Sequence, residues 1–514
     1  MAERSAAVAP PASGAWRRLS AWSIAHFAAR AIVENLRAVA FAAPATYGVS
    51  QSAWQEHTWA VPAGIAAAVL IAGVLNYFFF FYRLRDDFVE VRRGVLFRKE
   101  LNLSFARIQN IDIEQPFYFR PLRLVTLKID SAGSKRDEVH LAALARPDAE
   151  ALRRDILARK RALGGDERVL DDAASAPPRA ADEVCCTRSL KDLVIHGLTN
   201  DRGWVAVAGV AGLISQVDLP VSPMLEAVGL EVDRLQVTSL FGMALLVVLL
   251  VVAAWASITL LSVAWAVVVY YGFTIRRSGD GLRVAHGLLT RREVQVPRSR
   301  IQVFAVKQDW LDYLIGRRNV VLEQVTHGRE LEDGDWPGLR KKLVVPSLRI
   351  EETPPLLEEV FGVRRLDELP FTPLSKRYFY KHAKIWSCVY AAALVVPRAA
   401  VGAPWLYVPV VLVLWALHVA LLYARWRRGG LAVDGDVVVT RSGAIGVDYQ
   451  VFPAIKIQEL RHVQSPLMRR NGVSTLVFRT AASRTRVPYL DAAFAKAVVD
   501  YCVYQVEATD RSWM

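Results

Sequence analysis

The chain has 514 residues, enough for three or more domains, and 53% of them are apolar. That fraction is too high for a typical soluble protein and too low for a chain built only of membrane spans. The net charge of +14 favours an anionic partner. Because the basic residues cluster beside apolar runs, they favour a membrane surface and argue against nucleic acid. The four cysteines form no CxxC pair, which predicts a reducing compartment without a disulfide framework.

Three charge-free runs are long enough to cross a bilayer as helices, which takes about 20 apolar residues. Each follows a weaker apolar stretch, so the pattern predicts six helices in three pairs. The strong runs are Thr58–Tyr82, Leu240–Phe273 and Pro404–Ala424. The weaker ones are Ala38–Trp54, Trp204–Val217 and Ile385–Val401.

Charge at the ends of these runs predicts their orientation. Arg and Lys are dense at 16–18, 83–93, 276–277, 376–384 and 425–428, whereas the loop 218–239 is acidic. Positive flanks stay in the cytoplasm, so both termini and every segment between the helix pairs are expected there, in a multi-pass inner-membrane protein. Arg398 is the exception. His26, Arg30, Glu34 and Arg37 share one helical face, which fits either an amphipathic interfacial helix or a buried polar track.

A repeat follows each helix pair, and its three copies align without a gap. We number it from a reference glycine, set to zero: Gly94, Gly287 and Gly443. An Asp stands at −7 (Asp87, Asp280, Asp436) and a basic residue at +13 (Arg107, Arg300, Lys456). Ile-Gln follows, with the Gln at +15 (Gln109, Gln302, Gln458), and another Gln stands at +21 (Gln115, Gln308, Gln464). One small domain is therefore written three times.

Alternating apolar residues and turn dipeptides such as Asp434-Gly435 predict antiparallel strands inside each copy. A helix is predicted at the end of each copy, at 147–163, 353–361 and 491–506. A small barrel has no exposed edges, and a helix closes its open end. The predicted fold is thus a membrane α-helical protein with three β-rich barrels, each capped by a carboxyl-terminal helix.

The helix pairs together with 94–144, 287–348 and 443–490 resemble the YdbS/YdbT-like bacterial membrane proteins, whose soluble module is a pleckstrin-homology-like (PH-like) domain of the second bacterial class. The apolar runs, the repeats and the composition of the segments between them predict this organisation: disordered N-terminus 1–20, helix pair 21–82, module 83–163, linker 164–191, helix pair 192–273, module 274–362, helix pair 363–424, module 425–508. Copy one has Arg123 where the others have Gly316 and Gly472, which predicts a different turn. The resemblance also implies a complex with a shorter one-module relative, and a role in envelope maintenance or protection against membrane-active peptides.

Two interpretations stay open for the repeated residues. The Gln amides either meet a ligand or bond backbone groups at a corner of the fold, and the +13 residue either meets a lipid headgroup or protects a strand edge. The Asp at −7 most simply starts a turn. The basic residues expected to face headgroups or a partner are Arg83, Arg85, Arg107, Arg276, Arg277, Arg300, Arg425, Arg427, Arg428 and Lys456.

The pattern offers no catalytic constellation. It contains no phosphate-binding loop, dinucleotide fingerprint or nucleophile elbow, and no His or Cys spacing typical of metal ligation. We therefore expect a non-enzymatic binding protein without a cofactor or metal. The alternative is a lipid-handling carrier, although ionisable residues at membrane depth, which such proteins need, are limited to His418 in the strong runs.

Overall fold

The computed structural model describes residues 16–24, 27, 67, 71, 73–75, 77–85, 87–94, 98–131, 139–162, 183–199, 240–278, 281–324, 342–363, 365–402 and 405–508. The weaker runs 38–54 and 204–217, the face carrying Arg30 and Glu34, and Asp280 lie outside these residues. The chain forms two compact units. Unit 1 contains module 1 and the first strands of module 2. Unit 2 contains the rest of module 2, module 3 and residues 191–199.

In the described residues, module 1 has seven strands and one helix. Its elements are β1 (Arg17–Arg18), β2 (Phe81–Leu84), β3 (Phe88–Arg93), β4 (Lys99–Ser104), β5 (Ile108–Pro116), β6 (Leu124–Ser131), β7 (Val139–Ala145) and helix α1 (Arg146–Ala162). The 3-10 turn η1 (Phe105–Arg107) precedes β5, and η2 (Phe117–Phe119) follows it. The side chains of Phe105, Leu127 and Ile156 are fully buried in one core that strands and α1 share.

Module 2 repeats this order, and two described helices lie between its first and second strands. Its elements are β8 (Val184–Thr187), α2 (Leu190–Thr199), α3 (Leu240–Tyr270), β9 (Thr274–Ser278), β10 (Gly281–His286), β11 (Thr290–Pro297), η3 (Arg298–Arg300), β12 (Ile301–Lys307), α4 (Trp310–Ile315), β13 (Arg317–Gln324), β14 (Lys342–Arg349), η4 (Ile350–Glu352) and α5 (Thr353–Phe361).

Module 3 has the same plan. Its elements are β15 (Thr372–Pro373), α6 (Lys376–Val401), α7 (Tyr407–Arg428), β16 (Gly430–Asp434), β17 (Val437–Ser442), β18 (Asp448–Pro453), η5 (Ala454–Lys456), β19 (Ile457–Val463), α8 (Pro466–Arg470), β20 (Val473–Thr480), β21 (Arg484–Asp491) and α9 (Ala492–Glu507). Antiparallel strands followed by a carboxyl-terminal helix in each copy confirm that part of the predicted fold.

The sheets continue from one module into the next, which the sequence did not predict. In unit 1, a seven-stranded sheet has the order β7-β6-β5-β11-β10-β9-β8, so β5 of module 1 pairs with β11 of module 2. In unit 2, the order β14-β13-β12-β18-β17-β16-β15 pairs β12 of module 2 with β18 of module 3. We call these pairings junction 1 and junction 2. Each module is therefore joined to its neighbour by backbone hydrogen bonds.

Each segment that was predicted to hold a helix pair is inserted between two paired strands. The short strands β1, β8 and β15 precede the pairs, and each is antiparallel to the strand that follows the pair, β2, β9 or β16. The chain thus leaves and re-enters the sheet at one place. The predicted linker 164–191 is shorter than expected at its carboxyl end, because Val184–Thr187 is a strand and α2 begins at Leu190. The backbone of that stretch pairs with β9, and the side chain of Cys186 is buried.

Of the described helices, α7 alone is long and apolar enough to cross a membrane, and Trp255–Tyr270 of α3 is a shorter apolar stretch. Helix α6 includes the weaker run 385–401 and contains Pro397. The hydroxyl of Tyr390 on α6 lies 3.4 Å from Nδ1 of His418 on α7, and Trp415 Nε1 donates to Ser387 Oγ at 3.0 Å. These bonds tie α6 and α7 into an antiparallel hairpin.

The reference glycines occupy backbone conformations that other residues rarely adopt. Their φ angles are 110°, 114° and 126° in copies one to three. A Cβ on Gly287 would lie 2.0 Å from the carbonyl oxygen of Thr290, and one on Gly443 would lie 2.3 Å from that of Gly446. The repeat keeps glycine here because the turn between β3 and β4, and the matching turns β10–β11 and β17–β18, have no room for a side chain.

The turn at Arg123 corrects a sequence expectation. Arg123 has a φ of 53°, close to the 68° of Gly316 and the 63° of Gly472. Its amide donates to the carbonyl three residues earlier at 3.1 Å, as that of Gly472 also does. The turn therefore keeps its shape, and arginine adopts the left-handed conformation that glycine adopts in the other copies.

We expect Arg123→Gly to stabilise the protein by about 1 kcal/mol, since a left-handed backbone costs a non-glycine residue roughly that much. Chemical denaturation of the full chain in detergent would measure the change. The control is Arg154→Gly, an exposed arginine in the interior of the right-handed helix α1, which should destabilise. A loss of stability in Arg123→Gly would mean that the side chain itself holds this turn.

Candidate functional site

The hairpin of α6 and α7 meets module 3 at one end, which we call its sheet end. Ser375 caps α6, and its hydroxyl accepts a hydrogen bond from the amide of Arg377. Trp426 near the end of α7 donates its Nε1 to the carbonyl of Leu374 at 2.9 Å. Gly429 is close enough that a Cβ would lie 2.5 Å from the Leu374 side chain. These contacts hold the start of α6 and the end of α7 side by side.

Six exposed basic residues surround this end, and we call them the basic collar: Lys376, Arg377, Lys381, Lys384, Arg425 and Arg427. The last two lie at a helix carboxyl terminus, where cations are favourable. Lys376 and Arg377 lie in the first turn of α6, where the helix dipole disfavours cations. Their presence there is therefore not explained by helix stability, and it concentrates positive charge on one surface.

Aromatic side chains lie beside the collar. The rings of Phe379, Tyr423 and Trp426 form a cluster with centroids 5.5–6.2 Å apart. At the other end of the hairpin, Arg398 lies 5.2 Å over the exposed ring of Trp405. Tyr and Trp at both ends of an apolar helix are typical of the two membrane–water interfaces.

Helix α4 adds an apolar surface near the same end. Trp310, Leu314 and Ile315 are exposed, Leu314 to 70%. The neighbouring ring of Tyr313 lies 5.3 Å from the guanidinium carbon of Arg428, the last residue of α7. A basic surface next to exposed apolar side chains has the chemistry that a charged, partly apolar interface requires.

Two of the predicted contact residues are occupied inside the protein. Arg428 donates to the carbonyls of Ala444, Ile445 and Gly446 and so fixes the loop between β17 and β18. The ammonium of Lys456 donates to the carbonyls of Ser299 and Ile301 at 2.8 and 2.6 Å. Burial lowers the pKa of Lys456 to about 8. The basic residue at +13 of module 3 thus strengthens junction 2.

The other predicted basic residues lie in several places. Arg425 and Arg427 belong to the collar, and Arg107 and Arg276 are exposed elsewhere. Arg83 and Arg85 pair with the buried carboxylate of Glu90 at 2.5 and 3.7 Å. Arg277 lies 3.4 Å from Glu183, and Arg300 is partly buried in η3. The structure does not bring these ten residues together into one surface.

The Gln at +21 makes the same hydrogen bond in every copy. Its Nε2 donates to the carbonyl at +30: Gln115 to Leu124 at 3.1 Å, Gln308 to Arg317 at 3.0 Å, and Gln464 to Val473 at 3.1 Å. Each bond spans the connection between two neighbouring strands of one module: β5 and β6, β12 and β13, or β19 and β20. These amides thus satisfy backbone groups at a corner of the fold.

The Gln at +15 is the extra residue of a β-bulge in every copy. The strand register shifts across Gln109, Gln302 and Gln458 in β5, β12 and β19. Bulges bend a strand, and the Ile-Gln pair marks that bend. The Asp at −7 lies in the turn before β3, or before its counterpart β17. Its carbonyl accepts a hydrogen bond from the backbone amide at +11: Asp87 from Phe105 at 3.0 Å and Asp436 from Ala454 at 2.8 Å.

Sequence reasoning found the basic density at 376–384 but named none of its residues as a site. It also missed the apolar surface of α4, because a six-residue helix leaves too short a pattern to read. A shallow cavity of about 280 Å³ lies on the β19–β21 sheet and is lined by Glu459, Arg461, Val477, Arg479 and Arg484. Within the described residues, no three His, Cys, Asp or Glu side chains cluster as metal ligands would.

The family model of the bacterial PH domain matches the chain three times, over residues 36–160, 224–350 and 391–506. Together the matches cover more than half of the sequence. The chain belongs to the bacterial PH domain family. Each match begins within a predicted helix pair and ends at or near the terminal helix of a module, so this bacterial PH domain protein carries the family unit three times.

A curated relative matches most of the chain. Over 439 residues the chain is 25% identical to the UPF0699 transmembrane protein YdbT of Bacillus subtilis (strain 168). The aligned region covers 82% of this chain and 84% of that protein. That relative is named as a transmembrane protein. No solved structure matches the bacterial PH domain protein.

Proposed function

We propose that this is a non-enzymatic, multi-pass inner-membrane protein whose three modules lie on the cytoplasmic face, and that the basic collar binds anionic lipid headgroups. The observation that carries this is the collar itself, an exposed ring of six basic residues around the end of an apolar helix hairpin. A juxtamembrane basic cluster attracts anionic lipids by about 1 kcal/mol for each Lys or Arg near the surface. The exposed apolar face of α4 would enter the interface beside it.

The inserted hairpins support the topology. Because the strands before and after each helix pair are neighbours in one sheet, both ends of the pair must lie on the same side of a membrane. An even number of crossings per pair meets that condition, which agrees with six helices in three pairs. Of the described residues, the sheet end of the third pair carries the six collar cations and the tip only Arg398, so the positive-inside rule favours modules in the cytoplasm.

We expect a cysteine at Leu406, on the tip, to react from outside intact cells with a membrane-impermeant maleimide. A cysteine at Leu467, on α8 of module 3, should react only after the cells are opened. Both positions are highly exposed, at 84% and 72%, so accessibility in the protein is matched. The four native cysteines are first replaced. Labelling of position 467 in intact cells would contradict the proposed side.

Lipid binding has its own test. The variant Lys376→Gln, Arg377→Gln, Lys381→Gln and Lys384→Gln removes four collar charges at about 1 kcal/mol each, so its preference for phosphatidylglycerol over phosphatidylcholine should fall at least about tenfold. Native mass spectrometry of the full chain with both lipids measures that preference. The control replaces four exposed arginines on or beside the β19–β21 sheet, Arg470, Arg479, Arg484 and Arg486, by glutamine. An equal loss of lipid preference in both variants would show that the preference depends only on net charge and not on the collar.

Protein partners are part of the proposal. A complex with a shorter one-module relative, and a role in envelope maintenance or protection against membrane-active peptides, follow from the family resemblance. Purification from native membranes with each module deleted in turn would identify the module that holds such a partner. A deletion series that recovers neither lipid nor protein with any form would contradict a binding role.

A lipid-handling carrier is the second candidate, and the polar pair inside the third hairpin favours it. His418 lies within α7, bonded to Tyr390 and 4.5 Å from the ring of Trp386. If the pair serves transport, His418→Phe should abolish lipid movement between leaflets in proteoliposomes. If it only fastens the hairpin, the variant should transport as the unmodified protein does and lose stability alone.

A further inference from the structure

Junctions 1 and 2 are the same interface formed twice. In offsets from the reference glycine, Arg291 (+4) lies opposite Gln115 (+21) in junction 1, and Ala305 (+18) lies opposite Gln450 (+7) in junction 2. Each pair of offsets adds to 25. The fifth strand of one module therefore pairs with the fourth strand of the next module in one fixed register, despite different side chains.

The two ends of this series have the same strands without a neighbour in the described part of the chain. Strand β4 of module 1 is the counterpart of β11 and β18, and it is the last strand of its four-stranded sheet. Strand β19 of module 3 is the counterpart of β5 and β12, and it is the first strand of its three-stranded sheet. Six residues of β12 are buried, whereas Arg461, His462 and Val463 of β19 are exposed. Lys99, Glu100 and Asn102 of β4 are exposed as well.

We propose that β19 of one copy pairs with β4 of a second copy of this chain, head to tail, in the register of junctions 1 and 2. Offsets that add to 25 place His462 (+19) opposite Glu100 (+6), a favourable pair, and Leu460 (+17) opposite Asn102 (+8). They also place Val463 (+20) opposite Lys99 (+5). A head-to-tail interface of this kind closes into a ring or extends as a row.

Charged residues on the two edges are compatible with pairing. Charge on an edge strand often prevents association, but junction 1 already contains a charged pair, Arg292 and Glu114, 3.7 Å apart. Junction 1 also has a bond beyond its strands, because Arg120 at +26 donates to the carbonyl of Gly287 at 3.2 Å. The residue at +26 in module 3 is Arg469, which is exposed. In the second copy its counterpart acceptor would be the carbonyl of Gly94.

Disulfide formation between differently tagged copies tests the pairing in native membranes. One chain carries Glu100→Cys and the other His462→Cys, both in a background without the four native cysteines. We expect a covalent dimer with both tags, since opposed residues bring Cβ atoms within disulfide range. The control pair, Ser104→Cys with His462→Cys, is four residues out of register and should give none. No excess of the first dimer over the control would overturn the proposal, as would recovery of a one-module relative at β19 instead of a second copy.

A charge exchange tests the same register without cysteines. Val463→Lys places a second cation opposite Lys99 and should shift the full chain in detergent to monomers by light scattering. Adding Lys99→Glu should restore the oligomer. Val503→Lys on α9 is the matched control, because Val503 and Val463 are both 45% exposed. A chain with the four collar substitutions should still cross-link, so failure of this inference is distinct from failure of lipid binding. Oligomers that survive Val463→Lys would contradict the proposed edge.

Discussion

Gly446→Ala is expected to open junction 2 and to lower the melting temperature of the full chain more than any other single methyl group added to module 3. A Cβ at Gly446 would lie 1.6 Å from the carbonyl oxygen of Gln308 and 2.6 Å from its carbonyl carbon. Gln308 directly follows β12, and its backbone atoms have no rotamer with which to avoid this overlap. Overpacking of a rigid site costs about 1–3 kcal/mol and occasionally more, and we expect the upper end.

The place where contacts are lost distinguishes an opened junction 2 from general instability of the protein. Gly446 and Gln308 belong to different modules, and the backbone amide of Gln308 also donates to Asp448 Oδ1 at 3.0 Å. The variant should therefore lose contacts of β12 with β18 while the core around Phe452 and Phe478 stays intact, as hydrogen exchange would show. Gly435→Ala is the control, because it meets no atom within 4 Å and adds only the strain of a φ of 50°. Equal losses in both variants would contradict a junction-specific role.

Arg317→Met is expected to detach α2 from module 2. Its guanidinium lies 2.8 Å from Asp192 on α2 and donates to the carbonyl of Ser347 at 3.0 Å, and its side chain is only 9% exposed. Removing one partner of a buried ion pair costs about 3–5 kcal/mol, because the remaining charge keeps its desolvation cost. Since Asp192 retains 15% exposure, we expect about 3 kcal/mol by chemical denaturation.

A double substitution separates the lost charge pair from the lost packing. Asp192→Leu added to Arg317→Met removes both charges and should recover much of the stability, since apolar replacements of buried pairs are often neutral or stabilising. Arg365→Ala, which breaks an exposed pair with Glu368, should leave the melting temperature nearly unchanged. If the double variant is as unstable as Arg317→Met, the carboxylate is not the source of the loss.

The repeat itself could be predicted because its signals are local and occur three times. Gly94, Gly287 and Gly443 mark turns whose φ angles only glycine adopts readily, and the Ile-Gln pair marks a bulge. The terminal helices were predicted within one residue at each end, since their capping and apolar spacing lie in the helix itself. Thr353–Phe361 was predicted with both of its ends.

What could not be predicted depends on contacts distant in sequence. Nothing local distinguishes β5, which pairs with the next module, from β19, which has no neighbour in the described residues. The short strands β1 and β15 have two residues each and gain strand character only by pairing with β2 and β16. The sequence showed the positive charge of the collar. It did not show that Arg428 and Lys456 are excluded from that surface, because their side chains bind backbone carbonyls inside the protein.

The three modules form one series through a single repeated strand junction, and paired cysteines test that arrangement most directly. In the cysteine-free full chain, Glu114→Cys with Arg292→Cys and Ala305→Cys with Gln450→Cys place thiols on opposed residues of junctions 1 and 2. We predict disulfides within one chain in both. Moving one partner by two residues, to Val294→Cys or Val303→Cys, separates the thiols beyond the roughly 4.5 Å that a disulfide allows between Cβ atoms. Equal cross-linking in and out of register, or none in either, would contradict the account.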